Sequence, residues 1–415
     1  MTERPQAPRG TYDVLPEQAA ARAGLEDVAR RILEPAGYGR IETPAFEATE
    51  LFARGVGEST DIVQKEMYTF EDAGGRSLTL RPEVTAPTCR AYLEHGMHKL
   101  PQPVKLWYLG PYFRHERPQA GRYRQFWQVG AEAIGSDDPS VDAEIIVLLH
   151  ALLAELGARE LRLRLASLGT PGSRAGYRDV LQAYLRDHAD ELSQEARDRI
   201  DLNPLRAFDA KDERTQRVMD GAPRLADHLD DDDREHFAQV TDLLGRAGVE
   251  WEHDDRLVRG LDYYTRTIFE FTSDALGAQS GVGGGGRYDG LIEQLGGPST
   301  PGCGFAAGVE RMLMAADVRP QAEAGCDLFV AWEPTERGDA FALATEGRRA
   351  GLEAQLDLAG RSIKGQMKQA DRAGARYVAI LYPDGTVLRD MDSGQEEKVE
   401  RSGVVAGVLK GRHAL

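Results

Sequence analysis

Residues 104–134 read VKLWYLGPYFRHERPQAGRYRQFWQVGAEAI, and this stretch decides how the chain folds. Its two ends, Val104–Arg114 and Arg124–Ile134, are strand-like, and between them lies the loop RHERPQAGRYR. Strands joined in this way pair with one another. The loop gathers Arg114, Arg117, Arg122 and Arg124 within eleven residues. Arginine is a planar, permanently charged fork that meets phosphate oxygens at two points. The loop is therefore either a flap over a bound nucleotide, with Phe126 placed to stack on a base, or a solvated hairpin tip with ordinary surface arginines.

Toward the N-terminus, Leu25–Leu33 has the spacing of an amphipathic helix, and GYGRIETPAF leads from it through a turn into a short strand ending near Pro44. RSLTL at Arg76–Leu80 reads as a strand ended by Arg81-Pro82. On the other side, Asp142–Leu156 predicts a helix and Leu161–Leu165 an alternating, half-buried strand. Residues 172–248 turn charged and helix-favouring, which predicts an inserted helical region; its acidic run Asp230–Asp233 reads as a solvated loop or helix end. Strand-like sequence returns over Leu257–Phe271, followed by a glycine-rich turn at Gly281–Gly290 and a helix from about Phe305 to Ala316. Asp317–Gly325 has linker composition. Beyond it, alternating strands and helices predict a separate α/β module. The division is thus 1–171 and 249–318 as two parts of one domain, 172–248 inserted between them, 319–325 a linker, and 326–415 the module.

Three further segments carry candidate chemistry. In RPEVTAP, Glu83 and Thr85 lie two apart, so an extended chain points both to one side, where they could hold an ammonium group. On the strand 124–134, Gln128 and Glu132 share a face for the same reason. In LVRGLDYY at Leu257–Tyr264, Arg259 and Tyr263 share a face if the segment is extended, with Tyr264 beside them. An arginine on a core strand is costly unless it meets an anion, either a substrate or a neighbouring carboxylate. Gly281–Gly286 formally matches GxGxxG, but no strand directly precedes it and no βαβ unit frames it, so a dinucleotide site is not indicated. His95 and His98 have no further ligands nearby, and no protein metal site is expected.

Together these segments resemble a known family. FRHERPQAGRYRQFWQ resembles motif 2 of class II aminoacyl-tRNA synthetases, GFAAGVERMLMA their motif 3, and the helix–strand ending GYGRIETPAF their motif 1. LVRGLDYY and GGGGRYDGLIEQLGG are similar to the two signature segments of histidyl-tRNA synthetases, and PRGTYDVLP at Pro8–Pro16 is a further match. The resemblance implies an α+β fold: an antiparallel sheet flanked by helices, a helical insertion, and a C-terminal α/β anticodon-binding domain. It implies activation of L-histidine with ATP to histidyl-adenylate, then transfer to tRNA(His), with Mg2+ accompanying the ATP phosphates. By residue, it gives Arg114 the α-phosphate, Arg122 the β/γ-phosphates, Arg311 the γ-phosphate, Glu116 the adenine edge and Phe126 the adenine face. Arg259 meets the histidine carboxylate and the α-phosphate, which makes Arg259 and Arg114 the catalytic pair. Glu83, Thr85 and Gln128 hold the amino group, Tyr263 lines the pocket, and Glu132 and Tyr264 read the two imidazole nitrogens. A homodimer is implied by the motif 1 segment.

The net charge of −17 argues against a polyanionic partner unless basic residues cluster locally. Arg361, Lys364, Lys368 and Arg372 recur at near-helical spacing in the C-terminal module, and with Arg117 they are the expected tRNA contacts. The excess of acid and the preference for arginine over lysine suit a protein of a salt-adapted organism. No apolar run of eighteen residues and no leader-like N-terminus are found, so a cytoplasmic, non-membrane protein is expected. A histidine-sensing regulatory paralogue would not need Arg259, the loop arginines or the C-terminal module, and this chain has all three.

Overall fold

The computed structural model describes residues 4–57, 60, 62–210, 212–257, 261–277, 280–316 and 325–412. Arg259 therefore lies outside the described residues, as does the predicted linker apart from Gly325. The chain forms two compact units, Met1–Pro320 and Gln321–Leu415. No described helix is long and apolar enough to cross a membrane.

The first unit is built on an eight-stranded sheet. In spatial order its strands are Gly39–Arg40, Val104–Phe113, Gln125–Ile134, Gly302–Gly308, Gly281–Arg287, Thr265–Ser273, Leu161–Ser167 and Glu252–His253. The six central strands pair antiparallel, and only the two-residue edge strands pair parallel. The loop 114–124 joins the two longest strands, whose register runs from Val104 opposite Ile134 to Phe113 opposite Gln125. Alternation sorts the second of these strands cleanly. Val129, Ala131 and Ala133 enter the main apolar core, while Glu132 turns to the other face. Helices Pro16–Leu33, Pro139–Glu155, Asp231–Arg246 and Val309–Ala315 contribute Leu25, Leu149, Val240 and Met312 to that core.

Several elements differ from the sequence expectation. The glycine-rich segment is no turn: Gly281–Arg287 is a central strand. Its glycines serve close approach, since a side-chain carbon on Gly285 would lie 1.9 Å from the Gly304 carbonyl oxygen. Phe305 is likewise a strand residue of Gly302–Gly308, and the helix spans only Val309–Ala315. RPEVTAP is not extended throughout, because Thr85 opens the helix Thr85–Glu94. Glu83 serves as its N-terminal acceptor, taking the backbone N–H groups of Thr85 (2.7 Å) and Ala86 (3.1 Å).

Residues between Tyr177 and Leu229 have an apolar cluster of their own. The helix Asp231–Arg246 instead joins the main core. The acidic run starts that helix: Asp230 caps it, and Asp233 is fully buried rather than solvated, accepting from Thr170 N, Ser173 Oγ and Arg266 Nε.

The second unit has a five-stranded mixed sheet ordered Ala354–Leu356, Cys326–Trp332, Ala375–Tyr382, Gly385–Asp390 and Glu396–Val399, with three helices longer than a turn. Lys364, Lys368 and Arg372 are exposed along the helix Ile363–Arg372. Arg361 precedes that helix and does not share its stripe. It is tied to Asp357 (2.6 Å) and Gln369.

Candidate active site

On the site face of the sheet, Glu132 is 1% exposed and three hydroxyls surround its carboxyl group. Thr85 Oγ1 donates to Oε1 at 2.8 Å, Tyr108 Oη to Oε1 at 3.2 Å, and Tyr288 Oη to Oε2 at 2.7 Å. Burial pushes the Glu132 pKa up to about 8, which the hydroxyl donors offset only in part. Tyr108 Oη also reaches the Phe305 carbonyl at 3.1 Å, so the phenol has a second acceptor when Glu132 is protonated. Glu83 is buried nearby, and desolvation raises it as well despite its two backbone donors. Tyr263 is buried against Tyr264 and Tyr288, with ring centroids 4.7 and 5.9 Å away.

The cradle for Glu132 depends on glycine. Gly304 sits opposite Glu132 on the neighbouring strand. A side-chain carbon there would fall 1.8 Å from Glu132 Oε2 and 2.7 Å from the Ala131 carbonyl oxygen.

Beside this cluster lies a cavity of about 260 Å³ whose walls include Arg114, Glu116, Arg122, Phe126, Gln128 and Arg311. Six of the residues singled out in the sequence thus line a single opening. Arg114 is aimed by Nε, which donates to the Pro82 carbonyl at 2.9 Å, and its guanidinium lies 5.3 Å above the Phe126 ring. Glu116 faces Arg114 at 3.8 Å and Arg122 at 3.4 Å. Burial, then the charge of Arg122, lowers the pKa of Arg311. Two like charges held in a partly dry cavity favour an anion between them. Gln128 carries the sharper signal. Its Oε1 atom is buried and accepts no hydrogen bond from the described residues, which marks a place where a ligand donor belongs.

Tyr264 is also buried, and it lines a different opening, with Arg174, Asn203 and Arg206 of the helical insertion. Arg117 is exposed on the loop. Trp127 does not crowd Gln128. Being one residue earlier on the strand, it faces the helix side, where Arg22 lies over its ring at 5.0 Å.

Two functional features escaped the sequence reading. Tyr288, within GGGGRYDG, holds the second oxygen of Glu132; its position immediately after the glycine strand was the available signal. Arg287 beside it is wholly buried, paired with the buried Asp142 and donating to the carbonyls of Ser136 and Asp138. That ion pair fastens the glycine strand to the start of the helix Pro139–Glu155.

Comparison with known proteins gives a consistent picture. A family model described as Histidyl-tRNA synthetase matches residues 10–312. A histidine–tRNA ligase of Rubrobacter xylanophilus is 48% identical over 97% of this chain and 98% of its own length. The apo histidyl-tRNA synthetase of S. aureus superimposes with a TM-score of 0.82 at 36% identity, covering 98% of this chain and all of that one. A Bacillus halodurans protein described as an ATP phosphoribosyltransferase regulatory subunit/histidyl-tRNA synthetase, at 23% identity and a TM-score of 0.66, shares the fold.

Proposed function

The chain belongs to the histidyl-tRNA synthetase family, and from that membership we propose how its cleft carries out the reaction. Its function is that of a histidine–tRNA ligase, which condenses L-histidine with ATP to histidyl-adenylate and passes the histidyl group to the 3′ end of tRNA(His). In the first step a carboxylate oxygen of histidine bonds to the α-phosphorus. The bond to the bridging oxygen breaks, and pyrophosphate leaves with the electron pair. No protein nucleophile is needed, so positioning and charge stabilisation supply the catalysis.

We assign ATP to the cavity between the loop 114–124 and Arg311. Arg114 takes the α-phosphate, Arg122 and Arg311 the β- and γ-phosphates, Phe126 the adenine face and Glu116 its edge. Arg259 joins Arg114 as the second catalytic cation, facing the histidine carboxylate and the α-phosphate. Histidine lies on the Glu132 side. The unsatisfied oxygen of Gln128 accepts from its ammonium group, with the buried charge of Glu83 and the hydroxyl of Thr85 alongside. Glu132 pairs with one ring nitrogen, the family resemblance gives Tyr264 the other although Tyr264 here lines the opening shared with Arg174 and Arg206, and Tyr263 forms the wall. A substrate without an imidazole makes neither bond, and a site built to pair with ring nitrogens selects against it without editing.

Among the described residues no cluster of three metal-ligating side chains occurs. Mg2+ would be carried on the ATP phosphates and would offset their charge there, with Glu270 on the cavity wall as the carboxylate available to it. The exposed Lys364, Lys368 and Arg372, with Arg361 and Arg117, are proposed to contact tRNA, and the module bearing the first four to read the anticodon. A cytoplasmic homodimer completes the proposal.

The observation that carries this reading is the convergence of Arg114, Arg122, Phe126 and Arg311 around one cavity that is also lined by Gln128, whose buried oxygen has no partner among the described residues. Histidine-dependent exchange of pyrophosphate into ATP tests it, followed by charging of tRNA(His). Exchange without charging would overturn the assignment of the C-terminal module alone.

A further inference from the structure

The segment Pro8–Asp13 (PRGTYD) lies far from any step of the reaction in sequence, yet it touches both halves of the nucleotide cleft. Its backbone reaches the loop: Arg124 N donates to the Gly10 carbonyl at 2.7 Å, and Arg124 Nη1 reaches the Arg9 carbonyl at 3.4 Å. Arg124 in turn accepts the backbone N–H of Arg114 at 2.9 Å. The turn that makes this possible needs glycine. Gly10 has φ +88°, and a side-chain carbon there would lie 2.8 Å from Arg124 Cγ and 2.9 Å from Pro118 Cγ.

Two residues on, Tyr12 links the two sides. Its ring lies 4.5 Å from that of Tyr123, which lines the cavity. Its hydroxyl donates to Glu310 Oε1 at 2.9 Å and receives Arg22 at 2.6 Å. Glu310 also accepts Arg22 directly (2.8 Å) and the backbone N–H of Trp127 at 3.2 and 3.1 Å. It is the residue before Arg311 on the helix Val309–Ala315, and Trp127 stands between Phe126 and Gln128. One carboxylate therefore fixes the spacing between the arginine helix and the end of the strand that carries the base-stacking Phe126.

We propose that Pro8–Asp13 is a strap that holds the loop 114–124 and the Arg311 helix in the ATP-binding geometry, with Tyr12 as its positioning residue. The inference rests on the assignment of ATP to this cavity. The strap acts through a few directed bonds and not through core burial. It runs beside a cavity of about 670 Å³ lined by Pro8, Thr11, Tyr12, Arg22 and Trp127, and none of its residues belongs to the main apolar core.

The test is steady-state ATP–pyrophosphate exchange on the full chain, with ATP and histidine varied separately, for Tyr12→Ala, Tyr12→Phe and Gly10→Val. Tyr12→Ala and Gly10→Val are expected to raise KM for ATP about tenfold or more and to change KM for histidine less than twofold. Tyr12→Phe keeps the ring contact with Tyr123 and is expected to restore part of the loss. Equal KM values for ATP in wild type and both severe variants would overturn the proposal, as would a parallel rise for both substrates at an unchanged melting temperature. If Tyr12→Ala does not fold, Tyr12→Phe and Gly10→Val decide by the same criterion. Wild-type chain without histidine-dependent exchange would sink the assignment of the cavity itself, a failure distinguishable from that of the strap.

Discussion

Gly304→Ala is the substitution that joins fold to specificity most tightly. The added carbon falls 1.8 Å from Glu132 Oε2 and 2.5 Å from Cδ, where ordinary contact begins near 3.4 Å. The carboxyl group must retreat by more than an ångström, and the Ala131 carbonyl, 2.7 Å away on the paired strand, is pressed at the same time. Retreat breaks the 2.7 Å bond from Tyr288 and strains that from Thr85. One lost buried hydrogen bond costs roughly 1–3 kcal/mol, and overpacking adds about 1–3 kcal/mol. The melting temperature should therefore drop, but the larger effect is functional. An ångström of misplacement is worth about a hundredfold in rate. We expect kcat/KM for histidine in ATP–pyrophosphate exchange to fall by about two orders of magnitude, while KM for ATP moves only a few-fold. Wild-type kcat/KM for histidine in a variant whose melting temperature has dropped would refute the assignment of Glu132 as the imidazole reader.

Two further outcomes follow from buried charge. The Glu132 carboxyl group, raised to about 8 from an ordinary value of 4.5, holds a proton in the folded state that the unfolded chain has released. Its contribution to stability is therefore full below pH 4.5 and is lost as pH rises through 8. Glu132→Gln removes the ionisation, so the variant should gain melting temperature relative to wild type between pH 5 and pH 8.5; a difference independent of pH would contradict the burial argument. Among the described residues Asp142→Asn leaves the wholly buried Arg287 with Asp289 as its one ion-pair partner, and unfolding of the Met1–Pro320 unit should be easier by about 3 kcal/mol, the lower end for a broken buried pair. Denaturant titration reads this, and a change below 1 kcal/mol would show that Asp289 compensates.

The strand–loop–strand at 104–134 was legible because strand period and arginine density are local properties of sequence. The sheet's other half was not. Gly281–Gly286 has the composition of a turn, and only the approach of Gly304 and Thr267 from either side makes it a strand. Phe305 fell on the helical side of a boundary because its spacing to Val309 and Met312 fits a helix, whereas pairing with Ala131 and Gly285 holds it in the sheet. The candidate site shows the same division. Arg114, Phe126 and Gln128 share a strand and its loop, so their convergence could be read from alternation. Glu83 could not be seen as a helix cap, since that depends on the chain turning at Thr85. Tyr288 and Glu310 were hidden for a related reason: each acts through a partner more than 150 residues away.

This cleft is proposed to join ATP to histidine and to no other amino acid. The measurement that tests it most directly is pyrophosphate exchange into ATP by the wild-type chain, with each of the twenty amino acids supplied in turn. Saturable exchange is expected with histidine, and rates with glutamine, asparagine and the aromatic residues are expected near the amino-acid-free background. Absence of exchange with histidine would contradict the account, as would comparable exchange with a side chain that cannot pair with both Glu132 and Tyr264.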